Sequence, residues 1–206
     1  MSAPATVTAR TEGADATRAL AGALAGCCRP GDVVLLAGDL GAGKTTFTQG
    51  FAAALGVAQR VTSPTFTLVH TYPCTGGAVA TVLHADVYRL DDLAEVVDLG
   101  LAEMVDAGAV ALVEWGDVAA PVLGEGALTV TLAVPSGGGE DDRVVEVSAP
   151  AVGPLAGPGP NGAWRDRWPS VAAALAPWRD GHAGQNGDAG QHVRGDRVDD
   201  PGEGAR

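Results

Sequence analysis

Short apolar runs separated by polar turns recur along the first 150 residues and predict strands interleaved with helices. Residues 33–37 and 110–113 are continuous valine- and leucine-containing runs, which are typical of strands buried on both faces of a parallel sheet. Phe47, Phe51 and Leu55 instead recur at i, i+4 and i+8, which places them on one face of a helix. The pattern therefore predicts a buried strand followed closely by an amphipathic helix.

Weaker patterns complete the body of the chain. Helical spacing or strand alternation predicts an edge strand at 6–10, a helix at 14–26, one or two short helices at 93–105 with a break near Gly100, and a weak helix at 117–123. It also predicts two hairpins, which join 65–72 to 79–83 and 128–134 to 144–148. Buried runs favour parallel pairing, whereas hairpins are antiparallel. We therefore expect an α/β fold with a mixed, mainly parallel sheet flanked by helices.

The composition changes near residue 150, after which Pro, Gly, Ala, Asp and Arg dominate. This change predicts a domain at 1–150 and a Pro/Gly-rich C-terminal tail at 151–206, disordered after Asp180. Within the tail, apolar residues at helical spacing after Pro169 predict a short helix near 168–178. That helix either binds a partner or packs on the domain's own sheet. The second arrangement is favoured because C-terminal helices commonly pack on their own domain.

A glycine-rich segment lies between the predicted strand and helix. Residues 38–45 read Gly-Asp-Leu-Gly-Ala-Gly-Lys-Thr and match the Walker A pattern G-x-x-x-x-G-K-[ST] at every fixed position. Lys44 is the single lysine of the chain, and the other twelve basic residues are arginines. A compact ammonium can enter a backbone cradle and touch phosphate oxygens, whereas a planar guanidinium is too wide. The strand–loop–helix context disfavours an incidental glycine turn.

The motif therefore predicts a P-loop NTPase-like fold that binds the phosphates of a nucleotide together with Mg²⁺. We expect the Thr45 hydroxyl to bind the metal ion, and Lys44 to contact the β- and γ-phosphates. The phosphate cradle is expected at Gly41, Ala42, Gly43, Lys44, Thr45 and Thr46.

Acidic residues follow two further predicted strands. Glu114 ends an apolar run, as in a Walker B segment, and is expected beside the metal ion. Asp86 either holds Mg²⁺ through water, orients the attacking nucleophile, or caps the following turn. His84 is either a packed histidine or a site residue, and Trp115 either packs over the site or belongs to the core.

Hydroxyl groups flank a proline after the predicted loop helix. Ser63 and Thr65 lie on either side of Pro64, and they either respond to the γ-phosphate as a switch does or belong to a plain loop into the next strand. Arg89 either contacts phosphate or pairs with a neighbouring aspartate.

Charge and cysteine content narrow the classes of function. The net charge of −12 disfavours binding of the isolated chain to a nucleic-acid backbone, which needs clustered basic residues. Three cysteines, two of them adjacent, predict neither a disulfide framework nor a metal pair and favour a reducing cytoplasm. We find no segment typical of a signal peptide or a membrane helix.

Four segments in order resemble the TsaE family. They are the glycine loop through Phe47, residues 63–69 (Ser-Pro-Thr-Phe-Thr-Leu-Val), residues 84–90 (His-Ala-Asp-Val-Tyr-Arg-Leu), and residues 112–115 (Leu-Val-Glu-Trp). The similarity extends over about residues 14–148. Two features depart from the family pattern, since Gly116 stands where the family often has proline, and the tail exceeds the usual family length.

This resemblance implies a slow, cytoplasmic, Mg²⁺-dependent ATPase that is required for N6-threonylcarbamoyladenosine at position 37 of tRNA. It implies action with the TsaD–TsaB pair, and contact with tRNA only through those partners. Carried over by motif, Lys44 and Thr45 would bind phosphates and Mg²⁺, while Asp86 and Glu114 would serve the metal ion and the hydrolytic water. Ser63 and Thr65 would respond to the nucleotide as a switch.

Other classes of P-loop protein remain as alternatives. A small-molecule kinase is the runner-up, although such kinases bring several arginines to the transferred group, and the chain has only Arg60, Arg89 and Arg143 between the loop and residue 150. A GTPase is disfavoured because its N-K-x-D motif needs a second lysine. A nucleotide-gated binding protein with negligible turnover is also consistent with the sequence.

Overall fold

The computed structural model describes residues 5–64, 67–90, 92–123, 126–149 and 164–179, without the side chains of residues 117 and 118. The strands are β1 Thr6–Glu12, β2 Val33–Ala37, β3 Val69–Pro73, β4 Thr81–Asp86, β5 Val110–Glu114, β6 Leu128–Ala133 and β7 Asp142–Ser148. The helices are α1 Gly13–Ala25, α2 Lys44–Ala54, α3 Leu93–Asp98, α4 Leu101–Asp106, α5 Gly116–Leu123, α6 Trp168–Ala174 and α7 Ala176–Arg179. The predicted disordered segment after Asp180 lies outside the described residues.

The seven strands form one sheet in the order β1-β7-β6-β2-β5-β4-β3. Strands β6, β2, β5 and β4 pair in parallel, while β3 and β7 are antiparallel to their neighbours. Five strands consequently run in the same direction, which confirms the mixed, mainly parallel sheet. Both predicted hairpins are present, as β3–β4 and β6–β7, and the predicted edge strand is β1.

Each face of the sheet packs against its own hydrophobic cluster. The strands β2 and β5 alternate between the two clusters, so that Leu36 and Leu112 face α1 and α2 whereas Leu35 and Val113 face α3, α4 and α5. Since both faces are covered, β5 is buried at every position, as its unbroken apolar run predicted.

Helices α1 and α2 pack closely because glycine lies at their contact. A Cβ atom at Gly50 would lie 2.2 Å from the carbonyl oxygen of Arg18, so a larger residue cannot enter without moving α1. Gly22 of α1 also faces α2, but a Cβ atom there would meet the Ala54 side chain at an ordinary 3.5 Å. Gly50 thereby sets how close the phosphate-loop helix lies to α1.

The C-terminal helices α6 and α7 pack on the domain itself. Trp164, Val171 and Leu175 are buried in the same cluster as α1 and α2, which confirms the favoured arrangement of this segment. The core of the described residues thus includes side chains beyond residue 150. The domain boundary near residue 150 stays a prediction.

A buried ion pair fastens this segment to the sheet. Arg167 donates to both carboxylate oxygens of Asp32 at 2.7 Å, donates to the carbonyl of Cys27 at 2.8 Å, and stacks 4.2 Å from the centre of the Trp164 ring. The adjacent Cys28 thiol has a pKa raised well above its usual range, first by burial and then by the nearby Asp32 carboxylate. Such a thiol stays protonated and unreactive at neutral pH.

Candidate nucleotide-binding site

The glycine loop leaves β2 and enters α2 at the carboxyl edge of the parallel strands. Gly38 has φ 131°, and a Cβ atom there would lie 2.2 Å from the carbonyl oxygen of Leu132 on β6. Gly43, which precedes α2, has φ 105°. Both positions need glycine, because other residues rarely adopt this conformation. The first N–H groups of α2 have no intrahelical partner and carry the positive end of the helix dipole, so they form an anion-binding cradle.

Lys44 lies across this cradle and is 5% exposed. Its ammonium donates to the carbonyls of Gly38 at 2.7 Å and Asp39 at 3.0 Å. The same Nζ atom lies 4.1 Å from the centre of the Trp115 ring, a cation–π distance. These contacts hold the charge of Lys44 within the glycine loop.

Glu114 connects the loop to the central strand. Its Oε1 atom accepts hydrogen bonds from the Thr45 hydroxyl at 2.7 Å and from Nε2 of His84 at 2.9 Å. Since an ionised carboxylate only accepts, the His84 ring carries its hydrogen on Nε2. His84 is fully buried, and its Nδ1 atom has no hydrogen-bond partner among the described residues. The histidine therefore orients the acid.

Asp86 forms a second polar pair beside Glu114. The two acids are register partners at the ends of β4 and β5. Ser63 donates to Oδ2 of Asp86 at 3.1 Å, and the backbone N–H of Tyr88 donates to Oδ1 at 3.2 Å. The second bond is the turn cap that the sequence left open, and the first joins Asp86 to the loop before β3.

An aromatic wall closes one side of the site. Trp115 has φ 61°, a left-handed conformation that is uncommon for a bulky residue and often accompanies function. This turn at the end of β5 brings its ring 4.6 Å from that of Tyr88, which is 63% exposed. Trp115 thus packs over the site, while Gly116 lies where a Cβ atom would meet the Leu35 Cβ at 2.5 Å. Any residue with a Cβ atom at position 116 would therefore require Leu35 to move.

A cleft of about 450 Å³ gathers these groups. Its lining contains most of the predicted site residues: Gly41, Gly43, Lys44, Thr45, Thr46, Ser63, Asp86 and Glu114. The predicted Ala42 does not line the cleft and is buried behind it. Thr65 lies outside the described residues. Leu40, Tyr88, Arg89 and Trp115 complete the lining.

Sequence reasoning did not identify the role of Arg143. This residue of β7 donates through Nε to the Ala42 carbonyl at 2.8 Å and through Nη2 to the Gly41 carbonyl at 3.3 Å. Arg143 and Ala42 are 101 residues apart in the sequence. Only the order of strands in the sheet brings β7 near the loop. No local motif could have revealed this contact.

The chemistry of the site suits Mg²⁺. The Thr45 hydroxyl and the Glu114 carboxylate are hard oxygen donors 2.7 Å apart, and Asp86 lies beside Glu114 in register. Mg²⁺ is typically held by one or two protein oxygens, with water and substrate phosphates completing its octahedron. These residues therefore fit the predicted metal ion.

The glycine loop at the edge of this sheet defines a P-loop NTPase-like α/β fold. Residues 11–141 match the family model described as threonylcarbamoyl adenosine biosynthesis protein TsaE. Because this match covers more than half of the chain, the protein belongs to the TsaE family. A crystal structure of Bacillus subtilis YdiB superposes with a TM-score of 0.62 at 31% identity, covering 85% of this chain and 97% of that one.

Curated relatives carry the same family name. The TsaE protein of Bacillus subtilis is 50% identical over 45% of this chain and 55% of its own length, and that of Streptomyces coelicolor is 48% identical over 41% and 57%. The TsaE protein of Treponema pallidum is 41% identical over 55% of this chain and 82% of its own. The alignments thus span little more than half of the first two relatives. Separately, no helix among the described residues is long and apolar enough to cross a membrane.

Proposed function

We propose that this protein is an Mg²⁺-dependent ATPase. The observation that carries the proposal is the 2.7 Å hydrogen bond between Thr45 of the glycine loop and Glu114 at the end of β5. This bond joins the two parts that P-loop enzymes use to hold the metal ion of a nucleotide triphosphate. The reaction is hydrolysis of ATP to ADP and inorganic phosphate, with water attacking the terminal phosphorus.

Each residue has a distinct role in this proposal. Lys44 exchanges its carbonyl partners for β- and γ-phosphate oxygens and neutralises charge that develops on them. Thr45 and Glu114 hold the metal ion, which neutralises phosphate charge when bound. Asp86, oriented by Ser63, accepts a hydrogen bond from the attacking water. Trp115 and Tyr88 shield the terminal phosphate from bulk solvent.

The turnover of the isolated chain should be slow. Arg89 lines the cleft but is exposed, so water screens its charge at the site. The kcat of P-loop enzymes rises by several orders of magnitude when a positioned arginine is supplied, often by a partner protein. A partner-dependent ATPase is therefore expected.

The family membership supports a role in formation of threonylcarbamoyladenosine in tRNA, in the cytoplasm. We propose that hydrolysis changes the state of a TsaD–TsaB complex, because a nucleotide that favours one of two states shifts the balance between them. The protein should reach tRNA only through these partners, since its net charge of −12 opposes a polyanion. Its three free cysteines are compatible with a reducing compartment.

The test compares wild-type protein with Lys44→Ala and Glu114→Gln. Loss of the ammonium should weaken ATP binding about tenfold or more and abolish turnover, because a charge-assisted phosphate contact contributes roughly 2–3 kcal/mol. Glu114→Gln should bind ATP within a fewfold of wild type yet hydrolyse it at least tenfold more slowly. Calorimetry and phosphate release measure the two quantities.

Two outcomes would contradict the proposal. Wild-type turnover in Lys44→Ala would exclude the loop as the site of hydrolysis. Phosphate appearing on a small metabolite instead of in solution would favour the small-molecule kinase, for which Arg89 is the available cleft arginine.

A further inference from the structure

Arg143 joins two loops that are distant in sequence. In addition to its bonds to the carbonyls of Ala42 and Gly41, its Nη1 atom donates to the carbonyls of Glu140 and Asp142 at 2.7 Å each. The guanidinium thus has four backbone acceptors: two in the phosphate loop, one in the β6–β7 turn and one at Asp142, the first residue of β7. A planar fork of several donors suits this arrangement, whereas an ammonium cannot span it.

The bonds to the loop have a consequence for anion binding. In a trans peptide the carbonyl and the following N–H point in opposite directions. A carbonyl of Ala42 fixed towards Arg143 therefore turns the N–H of Gly43 away from Arg143, and Gly43 lines the nucleotide cleft. The Ala42 N–H is already bonded to the carbonyl of Asp39 at 3.1 Å. Gly43 thus supplies the donor that Arg143 orients.

Arg143 also differs from the other cation of the loop. Lys44 holds the carbonyls of Gly38 and Asp39, in the first half of the loop, but in the proposed function it leaves them for phosphate. Arg143 is bonded to the second half of the loop on the side away from the cleft. Ala42, whose carbonyl it contacts, is buried and does not line the cleft. A cation bonded to a carbonyl also polarises the peptide unit and strengthens the N–H on its other end.

We propose that Arg143 is a positioning residue for phosphate binding, which holds the Ala42–Gly43 peptide with its N–H directed into the cleft. It acts through the loop backbone and does not itself touch the nucleotide. The inference rests on the proposed ATP site, and it extends that site to β7 and the β6–β7 turn.

The experiment compares Arg143→Lys, Arg143→Gln and Arg143→Met with wild type. Arg10→Gln is the matched control, because Arg10 lines a neighbouring cleft together with Arg143 and makes no hydrogen bond to the described loop residues. Calorimetry gives the Kd for Mg²⁺-ATP, steady-state kinetics give KM and kcat, and amide hydrogen exchange reports on residues 38–45. Thermal unfolding checks the fold of each variant.

We expect Kd and KM to rise about tenfold or more in Arg143→Gln and Arg143→Met, with a smaller fall in kcat, because Glu114 and Asp86 are untouched. Arg143→Lys should recover part of the affinity, and Arg10→Gln should match wild type. Loop amides should exchange faster in the nucleotide-free Arg143→Met protein. A merely structural role would lower the melting temperature without this selective change in KM.

Wild-type affinity and loop exchange in folded Arg143→Gln and Arg143→Met would overturn the inference and leave the proposed function intact. If Arg143→Met does not fold, Arg143→Gln and Arg143→Lys decide by the same criterion. If wild-type protein itself binds no ATP, the proposed function fails and this inference fails with it.

Discussion

At the scale of single residues, His84 is the least expected member of the site. It is completely buried, yet it contributes one of the two hydrogen bonds on Oε1 of Glu114. A buried polar group is costly unless it is hydrogen-bonded, and the Thr45 and His84 side chains supply these bonds to Glu114, which is 4% exposed. Both bonds fall on one oxygen, which fixes the orientation of the carboxylate relative to the loop.

Replacing His84 should therefore reduce turnover more than nucleotide binding. We expect His84→Leu to lower kcat about tenfold, since the carboxylate loses a charge-assisted bond of roughly 1.5–3 kcal/mol, while the Kd for ATP changes less than threefold. His84→Gln can place an amide N–H near the former Nε2 position and should recover part of kcat. Phosphate-release kinetics measure the effect. Equal turnover in His84→Leu and wild type would exclude the orienting role.

The acids and the lysine were predictable from sequence because their motifs combine residue type with strand ends. Lys44, Thr45 and Glu114 follow from the order strand, glycine loop, helix, apolar strand, acid. His84 was ambiguous, because a histidine in a strand gives no sign of its partner. The role of Arg143 could not be predicted, since its contact with the loop depends on the register of a hairpin that is distant in sequence.

At the scale of elements, the sequence predicted the helices and strands well and their limits less well. β2 occupies residues 33–37 as predicted, and the helix break near Gly100 separates α3 from α4. The first hairpin strand was predicted from residue 65, but β3 begins at Val69, after the uncommon left-handed backbone of Leu68. The alternation of apolar residues cannot reveal such a turn. It shows which way side chains point, but it does not show the sign of the backbone φ angle.

The contact between α1 and α2 provides a test of this packing. Gly50→Ala should lower the free energy of unfolding by about 1–3 kcal/mol, because its Cβ would meet the backbone of Arg18 at 2.2 Å. Gly22→Ala is the matched control on the facing helix, and it should be neutral or stabilise by up to about 1 kcal/mol. Urea unfolding measures both. The same sign of effect in the two variants would contradict the described helix contact.

At the scale of the whole molecule, the C-terminal helices contribute to the stability of the domain that carries the glycine loop. The composition of the C-terminal segment predicted a Pro/Gly-rich tail with a short helix near 168–178. The structure adds that Trp164, Val171 and Leu175 enter the core of the body, and that Arg167 neutralises Asp32. The favoured packing of this segment on the domain came from its helical spacing, but the Arg167–Asp32 pair could not be predicted, because 135 residues separate the two side chains.

Truncation at the two ends of this segment tests the claim. A chain ending at residue 150 loses Trp164, Val171 and Leu175 from the core and should melt roughly 10 °C or more lower, because the apolar surface that they cover becomes exposed to water. A chain ending at Arg179 retains every described contact and should melt within a few degrees of the full chain. Calorimetric melting decides between them. Equal stability of all three chains would show that residues 164–179 do not stabilise the domain.

The central claim is that ATP hydrolysis at this site supports tRNA modification. The most direct measurement is the threonylcarbamoyladenosine content of bulk tRNA, by nucleoside mass spectrometry, in cells depleted of the protein and supplied with either wild-type or Lys44→Ala protein at equal levels. The account predicts that depletion lowers the modified nucleoside, that wild-type protein restores it and that Lys44→Ala does not. Unchanged modification on depletion, or full restoration by Lys44→Ala, would contradict it.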